Sequence, residues 1–177
     1  MPMTFANRSG LESRRGPRAA ASRGFTLTEL MIAVAVLGVL TAVGLPSMTN
    51  FVREQRVKTA TSDVFASLIY ARSEAIKRAA DVIVVPNNTA AWAAGWKVTD
   101  AGGASLRVQD AIGGVTVTGP AASLTFRRDG RLATGVTNFV LTSPDNSAIT
   151  ARCVRLDPSG RANIKVDSNG NSADGCQ

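Results

Sequence analysis

The sequence predicts an α+β fold, in which one long N-terminal helix packs on a small head made of antiparallel β-sheet. Three observations lead to this prediction. No charged side chain occurs in residues 30–52. From there to about residue 79, apolar residues recur at intervals of three and four, which is the period of an amphipathic helix. After Asp81 the pattern changes to short β-prone runs separated by Gly, Pro, Asn and Asp, as in antiparallel sheets.

The helix is predicted to run from about residue 26 to residue 79. At about 1.5 Å per residue, its uncharged part is long enough to cross a bilayer core of roughly 30 Å. A kink is predicted at Pro46, because proline lacks an amide donor and its ring clashes with the preceding turn. Beyond the kink, the apolar stripe that should face the head consists of Phe51, Val57, Ala60, Val64, Leu68, Ala71 and Ala75.

The strand-like runs that follow are short and closely spaced. They cover residues 82–85, 92–98, 105–108, 115–118, 124–127, 138–142, 152–156 and 161–166. The last two predict a hairpin whose return strand has an apolar face, with Ala162, Ile164 and Val166, and a polar, basic face. Trp92 and Trp96 are four apart on one predicted strand, so they should share a face and act as packing residues.

The charge of the chain is unevenly distributed. The 177 residues carry a formal net charge of +7, but five arginines and one glutamate precede Phe25, which leaves +3 for the rest. The remaining charge is a weak argument for a polyanionic partner. The arginines before the apolar run instead favour a topology in which they stay in the cytoplasm and the far end crosses the membrane.

The cysteine and histidine content limits the chemistry. Cys153 and Cys176 are the only cysteines and predict a disulfide in an oxidising compartment, with two free thiols or half of a metal site as alternatives. Because the chain has no histidine, Ser-His-Asp and Cys-His arrangements are excluded, and a metal site lacks further soft ligands. We therefore predict no catalytic residue, no metal site and no cofactor.

A possible calcium loop begins at Asp167. Asp167, Asn169 and Asn171 are spaced like the start of an EF-hand loop, but Ser172 stands where that loop needs glycine. We interpret these residues as turn formers.

Glu29 is an isolated carboxylate at the entrance to the uncharged run. Such a group is costly in a membrane unless it meets a cation, which makes it a functional residue by default. The segment before it is basic and polar, and Gly24 is the small residue that a signal peptidase needs. Cleavage after Gly24 would leave Phe25 as a new amino terminus. Its ammonium group could then pair with Glu29 of the same chain or of a neighbouring subunit.

The junction of Gly24, Phe25, Glu29 and the long apolar run resembles the class III signal of type IV pilins and type II secretion pseudopilins. This resemblance implies that a prepilin peptidase removes residues 1–24, that Phe25 is N-methylated and that the helix joins a helical filament. Residues 25–49 would be its transmembrane or filament-core part, kinked at Pro46, and Glu29 would carry the charge that pairs subunits.

Residues 70–78, the stretch from Trp92 to Trp96 and the closing pair of cysteines resemble the FimT/GspH family of minor pilins and pseudopilins. The resemblance implies a lollipop-shaped, type IV pilin-like fold. In it, an amphipathic helix at residues 50–80 lies on an antiparallel β head at residues 81–177, and the disulfide between Cys153 and Cys176 closes the C-terminal region.

The function implied by this resemblance is assembly. The chain would be a FimT-like minor pilin that joins or primes a type IV pilus, and the alternative is a GspH-like pseudopilin of a type II protein secretion system. The implied partners are other pilins or pseudopilins in a filament tip or priming complex, and the prepilin peptidase. The chain would be anchored in the inner membrane by a single pass, with its head in the periplasm, and would not be an enzyme.

DNA binding is a second hypothesis. Arg155, Arg161 and Lys165 lie on the polar side of the last predicted hairpin and could contact phosphates. Arg127, Arg128 and Arg131 could extend this patch. Some members of the FimT group are DNA receptors in natural transformation and use a basic Gly-Arg-x-Arg motif in this region. Gly160 and Arg161 match that motif, whereas Asn163 replaces its second arginine. The alternative is a solvated basic face that aids solubility.

Overall fold

The computed structural model describes residues 24–89, 91–174 and 176, and only the backbone of residues 43–47. Residues 1–23 of the predicted leader lie outside the described residues. The chain divides into two compact units, Met1–Thr41 and Ala42–Gln177. The elements are α1 (Leu27–Arg78), β1 (Val82–Pro86), β2 (Trp96–Asp100), β3 (Ser105–Gln109), β4 (Thr116–Thr118), β5 (Leu124–Phe126), β6 (Thr137–Thr142), β7 (Arg152–Leu156) and β8 (Ala162–Val166), with short 3₁₀ turns at Trp92–Ala94 and Ser172–Asp174.

Helix α1 has the bounds that the sequence predicts to within one residue. It ends where Ala79 adopts a φ of 50°, and the Ala80 N–H then donates to the Ala75 carbonyl at 3.2 Å. This left-handed ending satisfies a carbonyl of the last turn. The helical backbone continues through Pro46, whose side chain lies outside the described part, and the kink there stays a prediction.

Within the residues that the structure describes, which exclude the side chains of 43–47, no helix is both apolar and long enough to cross a membrane.

The strands form two four-stranded antiparallel sheets. Sheet A has the order β3-β2-β1-β5, and sheet B has the order β4-β6-β7-β8. The α+β class and the antiparallel head predicted from the sequence are thus confirmed. The local pattern did not separate the two sheets, because β5 returns to pair with β1 after β4 has joined the other sheet.

One stripe of α1 provides the core between the sheets. Its members are nearly inaccessible to solvent: Val57, Ala60, Val64, Leu68, Ala71 and Ala75. They belong to a single cluster with apolar residues of both sheets, including Val84 and Val98 of sheet A and Leu141 and Val154 of sheet B. The prediction for Phe51 was wrong, because this side chain is 59% exposed and the buried stripe begins only at Val57.

The two tryptophans pack in this core, but not on one strand. Trp92 lies in a 3₁₀ turn and Trp96 begins β2, which corrects the strand predicted at 92–98. The intervening Gly95 has a φ of +90°, and a Cβ there would lie 2.3 Å from the carbonyl oxygen of Gln109. Only glycine tolerates this change of direction. Both tryptophans are buried, with ring centroids 6.4 Å apart, and the Trp92 Nε1–H donates to the Pro120 carbonyl at 2.9 Å.

The predicted apolar face of β8 is not covered. Ile164 and Val166 are 42% and 48% exposed, and Ala162 is only partly buried. Strand β8 is the outer strand of sheet B, next to β7. The alternation was therefore a correct sign of a strand, but its apolar side extends beyond the core.

A buried hydroxyl on α1 lacks a partner. Ser67 is 1% exposed, and its Oγ has no hydrogen-bond partner among the described residues. Its surroundings include Val84, Trp92 and Phe139, in a space too small for water. We predict that Ser67→Ala raises the free energy of unfolding by about 1 kcal/mol, because a buried, unsatisfied hydroxyl is removed. Urea denaturation followed by tryptophan fluorescence measures this change.

The matched control is Ser73→Ala. It has the same gain in helix propensity at an exposed position, where the hydroxyl donates to the Ile69 carbonyl at 2.8 Å. An equal effect of the two substitutions would show that the buried hydroxyl of Ser67 costs nothing.

Glu74 is a buried acid in the last turns of α1. It is 8% exposed, accepts a hydrogen bond from Arg78 Nε at 2.7 Å and lies 3.5 Å from Lys77 Nζ. The hydrogen bond from Arg78, helped by the charge of Lys77 and opposed by burial, lowers the pKa of Glu74 below its ordinary value of 4.5. A lowered pKa in the folded state contributes stability above that ordinary value and loses it as the pH falls through the folded value.

We therefore predict that Glu74→Gln flattens the loss of stability below about pH 4.5, compared with the parent protein. Urea unfolding between pH 7 and pH 3 measures the difference, and Asp110→Asn, at an exposed loop position, is the control for removing one carboxylate. Parallel profiles for the parent and Glu74→Gln would contradict the prediction.

Candidate functional site

The segment around Gly24 and Phe25 precedes α1 in an open conformation. Thr26 caps the helix, since its Oγ1 accepts a hydrogen bond from the Glu29 N–H at 3.2 Å. Gly24 has no described atom near the position of a Cβ, and Phe25 is 79% exposed. The Gly24–Phe25 peptide lies outside the helix, which begins at Leu27.

Glu29 lies in the first turn of α1 and is exposed. A carboxylate at this position is stabilised by the positive end of the helix dipole. Among the described residues, Glu29 forms no ion pair. Its charge is therefore available to a cationic group that is not part of the described chain.

The described part of the first unit exposes large apolar side chains. They are Phe25, Leu27, Leu30, Met31, Ile32, Val34, Val36, Leu37, Val39 and Leu40. A helix that is apolar on all sides is normally covered by lipid or by other protein. Exposed apolar surface of this extent is typical of helices that contact lipid or other protein.

A second apolar surface lies on the second unit, where α1 passes the β3–β4 loop. A groove of about 300 Å³ is lined by Phe51, Val52, Ala60 and Ile112, with Arg56 and other polar residues beside them. Phe51 and Val52 are 59% and 40% exposed. Phe51 and Val52 are the last two residues of the uncharged run, so the groove lies at its end.

The two cysteines are joined as expected. Cys153 in β7 and Cys176 form a disulfide with Cα atoms 5.9 Å apart, and both residues are buried. The bond closes a segment that includes the β7–β8 hairpin and the chain after it. In the chain-entropy model, a loop of this length contributes about 3 kcal/mol.

The last hairpin presents a basic face. Arg155 of β7 pairs with Asn163 of β8, and Lys165 lies two residues after Asn163 on β8. The side chains of Arg155, Asn163 and Lys165 therefore lie on one side of the hairpin. Arg161 closes the turn, where its carbonyl accepts from the Asp157 N–H at 3.1 Å. Arg155, Arg161 and Lys165 are all exposed. The structure thus brings the three predicted phosphate-contacting residues onto one hairpin.

Two turns that are distant in the sequence meet beside this hairpin. A Cβ on Gly160 would lie 2.0 Å from the Gly130 carbonyl oxygen, which also accepts a hydrogen bond from Arg72 Nε at 3.1 Å. The Leu132 N–H donates to the Pro158 carbonyl at 3.2 Å. This contact brings a second group of exposed arginines next to the hairpin: Arg127, Arg128 and Arg131.

The carboxylates of these turns bind backbone amides. Asp157 accepts hydrogen bonds from Ser159 Oγ and from the N–H groups of Ser159 and Arg161. The bond from the Ser159 hydroxyl, more than the others, holds the pKa of Asp157 below its ordinary value. Asp129 similarly accepts from the Arg131 N–H at 3.0 Å. Of the ion pairs between described side chains, all three lie on α1, so the turn arginines remain unpaired.

The predicted site residues therefore fall into separate groups. Gly24, Phe25 and Glu29 belong to the first unit, and the basic residues and the disulfide belong to the second. Sequence reasoning missed Arg72, which joins α1 to the turn at Gly130. The available signals were the two turn glycines, Gly130 and Gly160, which adopt φ values of +76° and +75°.

Two known families match different regions of the chain. Residues 20–45 match the family described as a prokaryotic N-terminal methylation motif, and residues 60–160 match the family described as Type II transport protein GspH. Two curated fimbrial proteins of Pseudomonas aeruginosa are 44% identical to the chain over 46 residues, which is 26% of this chain and 30% of each relative. The chain thus spans less than a third of the length of these relatives.

Solved structures show the same fold. A crystal structure of the type IV minor pilin FimU of Pseudomonas aeruginosa superposes with a TM-score of 0.56 and 23% identity, over 68% of this chain and 95% of FimU. The minor pseudopilin EpsH of the Vibrio cholerae type 2 secretion system superposes with a TM-score of 0.50 and 13% identity, over 63% of this chain and 97% of EpsH. Because the GspH match covers more than half of the sequence, the chain belongs to the GspH family of type II transport proteins, with a fold shared by minor pilins and pseudopilins.

Proposed function

We propose that the protein is a minor pilin that takes part in type IV pilus assembly, with a pseudopilin of a type II secretion system as the alternative. The observation that carries the proposal is the exposed apolar surface of residues 25–40, which follows an open Gly24–Phe25 peptide. A soluble globular subunit has no use for such a surface. The role is structural and includes no catalysis.

Processing is the first step of this proposal. A prepilin peptidase cuts after Gly24, the new amino group of Phe25 is methylated, and residues 25–49 anchor the chain in the inner membrane by a single pass. The head at 81–177 and the helix at 50–80 then lie in the periplasm, where the disulfide between Cys153 and Cys176 can form. The methylation-motif match at residues 20–45 supports this order of events.

Assembly follows from the charge of Glu29 and from the apolar surfaces. In a lipid or protein core, an unpaired carboxylate is unfavourable, and the cationic amino terminus of a neighbouring subunit would neutralise it. The groove lined by Phe51, Val52 and Ile112 adds an apolar surface on the second unit. The partners are other pilins or pseudopilins in a filament tip or priming complex, and a bend at Pro46 would adapt the helix to them.

We predict that Glu29→Gln reduces incorporation into filaments by at least about tenfold, because the substitution removes a charge worth more than about 1.4 kcal/mol in an apolar setting. The measurement is the amount of mature protein in sheared filaments relative to the cell membrane. Glu54→Gln is the control, since Glu54 is a partly exposed acid that pairs with Lys58 on the head part of α1. Equal incorporation of Glu29→Gln and the parent would contradict the proposal.

Intact mass measurement of the same samples tests the processing step. In cells with an active prepilin peptidase the protein should lack residues 1–24 and carry one methyl group on Phe25. Accumulation of the full-length chain in such cells would contradict the proposal. Recovery of the protein together with pilus subunits in the sheared filaments favours a role in the pilus. Loss of protein secretion without loss of pili, in cells that lack the protein, favours the pseudopilin role.

DNA binding is a second candidate function, supported by the basic surface. Arg155, Arg161 and Lys165 lie on one hairpin, and the turn that carries Arg127, Arg128 and Arg131 adjoins it. None of these side chains forms an ion pair with a described residue. A polyanion gains affinity from such cations by releasing its counterions. The three nearby carboxylates, Asp81, Asp129 and Asp157, reduce the net charge of this surface without neutralising it.

We predict that the full-length protein in detergent retards duplex DNA at about 50 mM salt, and that combining Arg161→Ala with Lys165→Ala lowers the slope of log K against log salt by roughly two. A gel-shift titration at several salt concentrations measures both quantities. The control, Arg53→Ala with Lys97→Ala, removes two cations elsewhere. No retardation, or an equal loss in the control, would rule out this surface as a DNA site.

A further inference from the structure

Strand β8 is an outer strand that keeps the length and regular pairing of an inner one. Four strands lie at the margins of the two sheets: β3 and β5 in sheet A, and β4 and β8 in sheet B. Strands β4 and β5 have three residues each, and β3 pairs with β2 through an irregularity in register. Short outer strands and bulges hinder the addition of a further strand to a sheet. Strand β8 has five residues, all paired with β7 in unbroken register.

The backbone of β8 has hydrogen-bonding groups on its open side. At the two ends of the hairpin, the Asp157 N–H donates to the Arg161 carbonyl at 3.1 Å, and the Asp167 N–H donates to the Ala151 carbonyl at 3.0 Å. In an antiparallel ladder, such pairs alternate with pairs whose N–H and C=O groups point away from each other. Counting from either end, three residues of β8 direct these groups to the open side: Ala162, Ile164 and Val166. Among the described residues, no other backbone group bonds to them there.

The two faces of β8 differ in character, and both are exposed. On one face, Ile164 and Val166 are 42% and 48% exposed. On the other face, Lys165 and the neighbouring Arg155 of β7 are exposed, and Arg161 follows on the same side at the turn. None of these cations forms an ion pair with a described residue. A strand added beside β8 would therefore meet apolar side chains on one face and positive charge on the other.

We propose that β8 accepts an extended strand of another protein, in which apolar residues alternate with acidic residues. The backbone of that strand completes the open hydrogen bonds of β8. Its apolar residues cover Ile164 and Val166, and its acidic residues pair with Lys165 and Arg155 across the strands. The addition of the strand is independent of the proposed assembly role, whereas the identity of the partner as a neighbouring filament subunit rests on that role.

A second copy of this chain does not offer the acidic strand that this edge favours. Strand β8 contains no acidic residue, so pairing with another β8 would bring cations together on the basic face. The outer strands β3, β4 and β5 contain no acidic residue either. Lys165 therefore acts selectively at this edge, since it repels a basic strand and attracts an acidic one.

The test is the binding of a fluorescently labelled peptide, in which valine and glutamate alternate, to the full-length protein in detergent. Fluorescence anisotropy measures the affinity, and NMR measures amide hydrogen exchange. At saturating peptide, exchange at Ala162, Ile164 and Val166 should slow at least about tenfold, because each outward amide gains a hydrogen bond. The amides of Asn163 and Lys165 face β7 already and should change less. A peptide with lysine in place of glutamate should not bind.

Ile164→Lys distinguishes strand addition from attraction between charges. It adds a cation, so an acidic peptide held by charge alone would bind this variant more tightly. In an added strand the new lysine lies on the apolar face, and we expect the affinity to fall at least about tenfold. Val108→Lys is the matched control, since Val108 is 54% exposed on the outer strand β3. This control should bind the peptide like the parent.

Lys165→Glu tests the basic face, and it also tests the site if Ile164→Lys is destabilised. It keeps the apolar face intact and should weaken binding of the glutamate peptide about threefold or more, because attraction becomes repulsion. Melting temperatures without peptide show whether each variant is folded.

Several outcomes would overturn the proposal. These are no binding of the glutamate peptide at about 1 mM, binding without slower exchange at the three outward amides, and equal or tighter binding by Ile164→Lys than by Val108→Lys. A dimer of the parent that Ile164→Lys abolishes would also overturn it, and would assign the edge to a second copy of the chain. Filament incorporation of Glu29→Gln is measured separately, so the failure of this proposal and the failure of the assembly role can be told apart.

Discussion

The packing of one stripe of α1 against two sheets is the contact on which the rest of the second unit depends. Neither four-stranded sheet can bury its apolar face alone, and each needs a second layer. The stripe from Val57 to Ala75 supplies that layer to both sheets at once. Its alanines at 60, 71 and 75 are fully buried, so the strands can approach the helix backbone closely. Trp92 and Phe139, with ring centroids 4.8 Å apart, fill the space that remains.

The first part of the same helix carries apolar side chains that the rest of the described fold does not cover. Among the side chains that the structure describes up to residue 52, the large apolar ones are exposed, although they are as hydrophobic as those of the buried stripe. Local stability cannot be the reason for them, because surface helices gain nothing from apolar residues on every face. The proposed assembly role would account for both parts of the helix: residues 57–75 pack in the head, and the residues before them would meet lipid or other subunits.

The structure agrees with the sequence where the signal is local. The bounds of α1 and of β7 follow from periodicity and from turn residues, and alternation places Arg155 and Lys165 on one face. The failures depend on distant contacts. Phe51 has the spacing of the apolar helix stripe, but its side chain is exposed. Strand β8 has the predicted alternation of apolar and polar residues, but it is the outer strand of sheet B and its apolar side is not covered. The strand predicted at 92–98 breaks at Gly95, whose conformation is set against Gln109. Arg72 joins the basic region through its hydrogen bond to the Gly130 carbonyl, a long-range contact that the local pattern does not reveal.

The basic surface is a consequence of how the turns are built. A turn needs carboxylates or amides near its backbone N–H groups, and Asp81, Asp129 and Asp157 each accept at least one such bond. A carboxylate that is held by amides in this way is poorly placed to pair with a flexible arginine head group. The neighbouring arginines are therefore left to solvent or to an external anion, even though acids are close in the sequence. Because Gly160 must lie against Gly130, the two turns present these arginines side by side rather than on opposite ends of the head. Counting charges along the sequence underestimates this surface, since it treats each aspartate as a neutralising partner, although none of these three aspartates forms an ion pair with a described side chain.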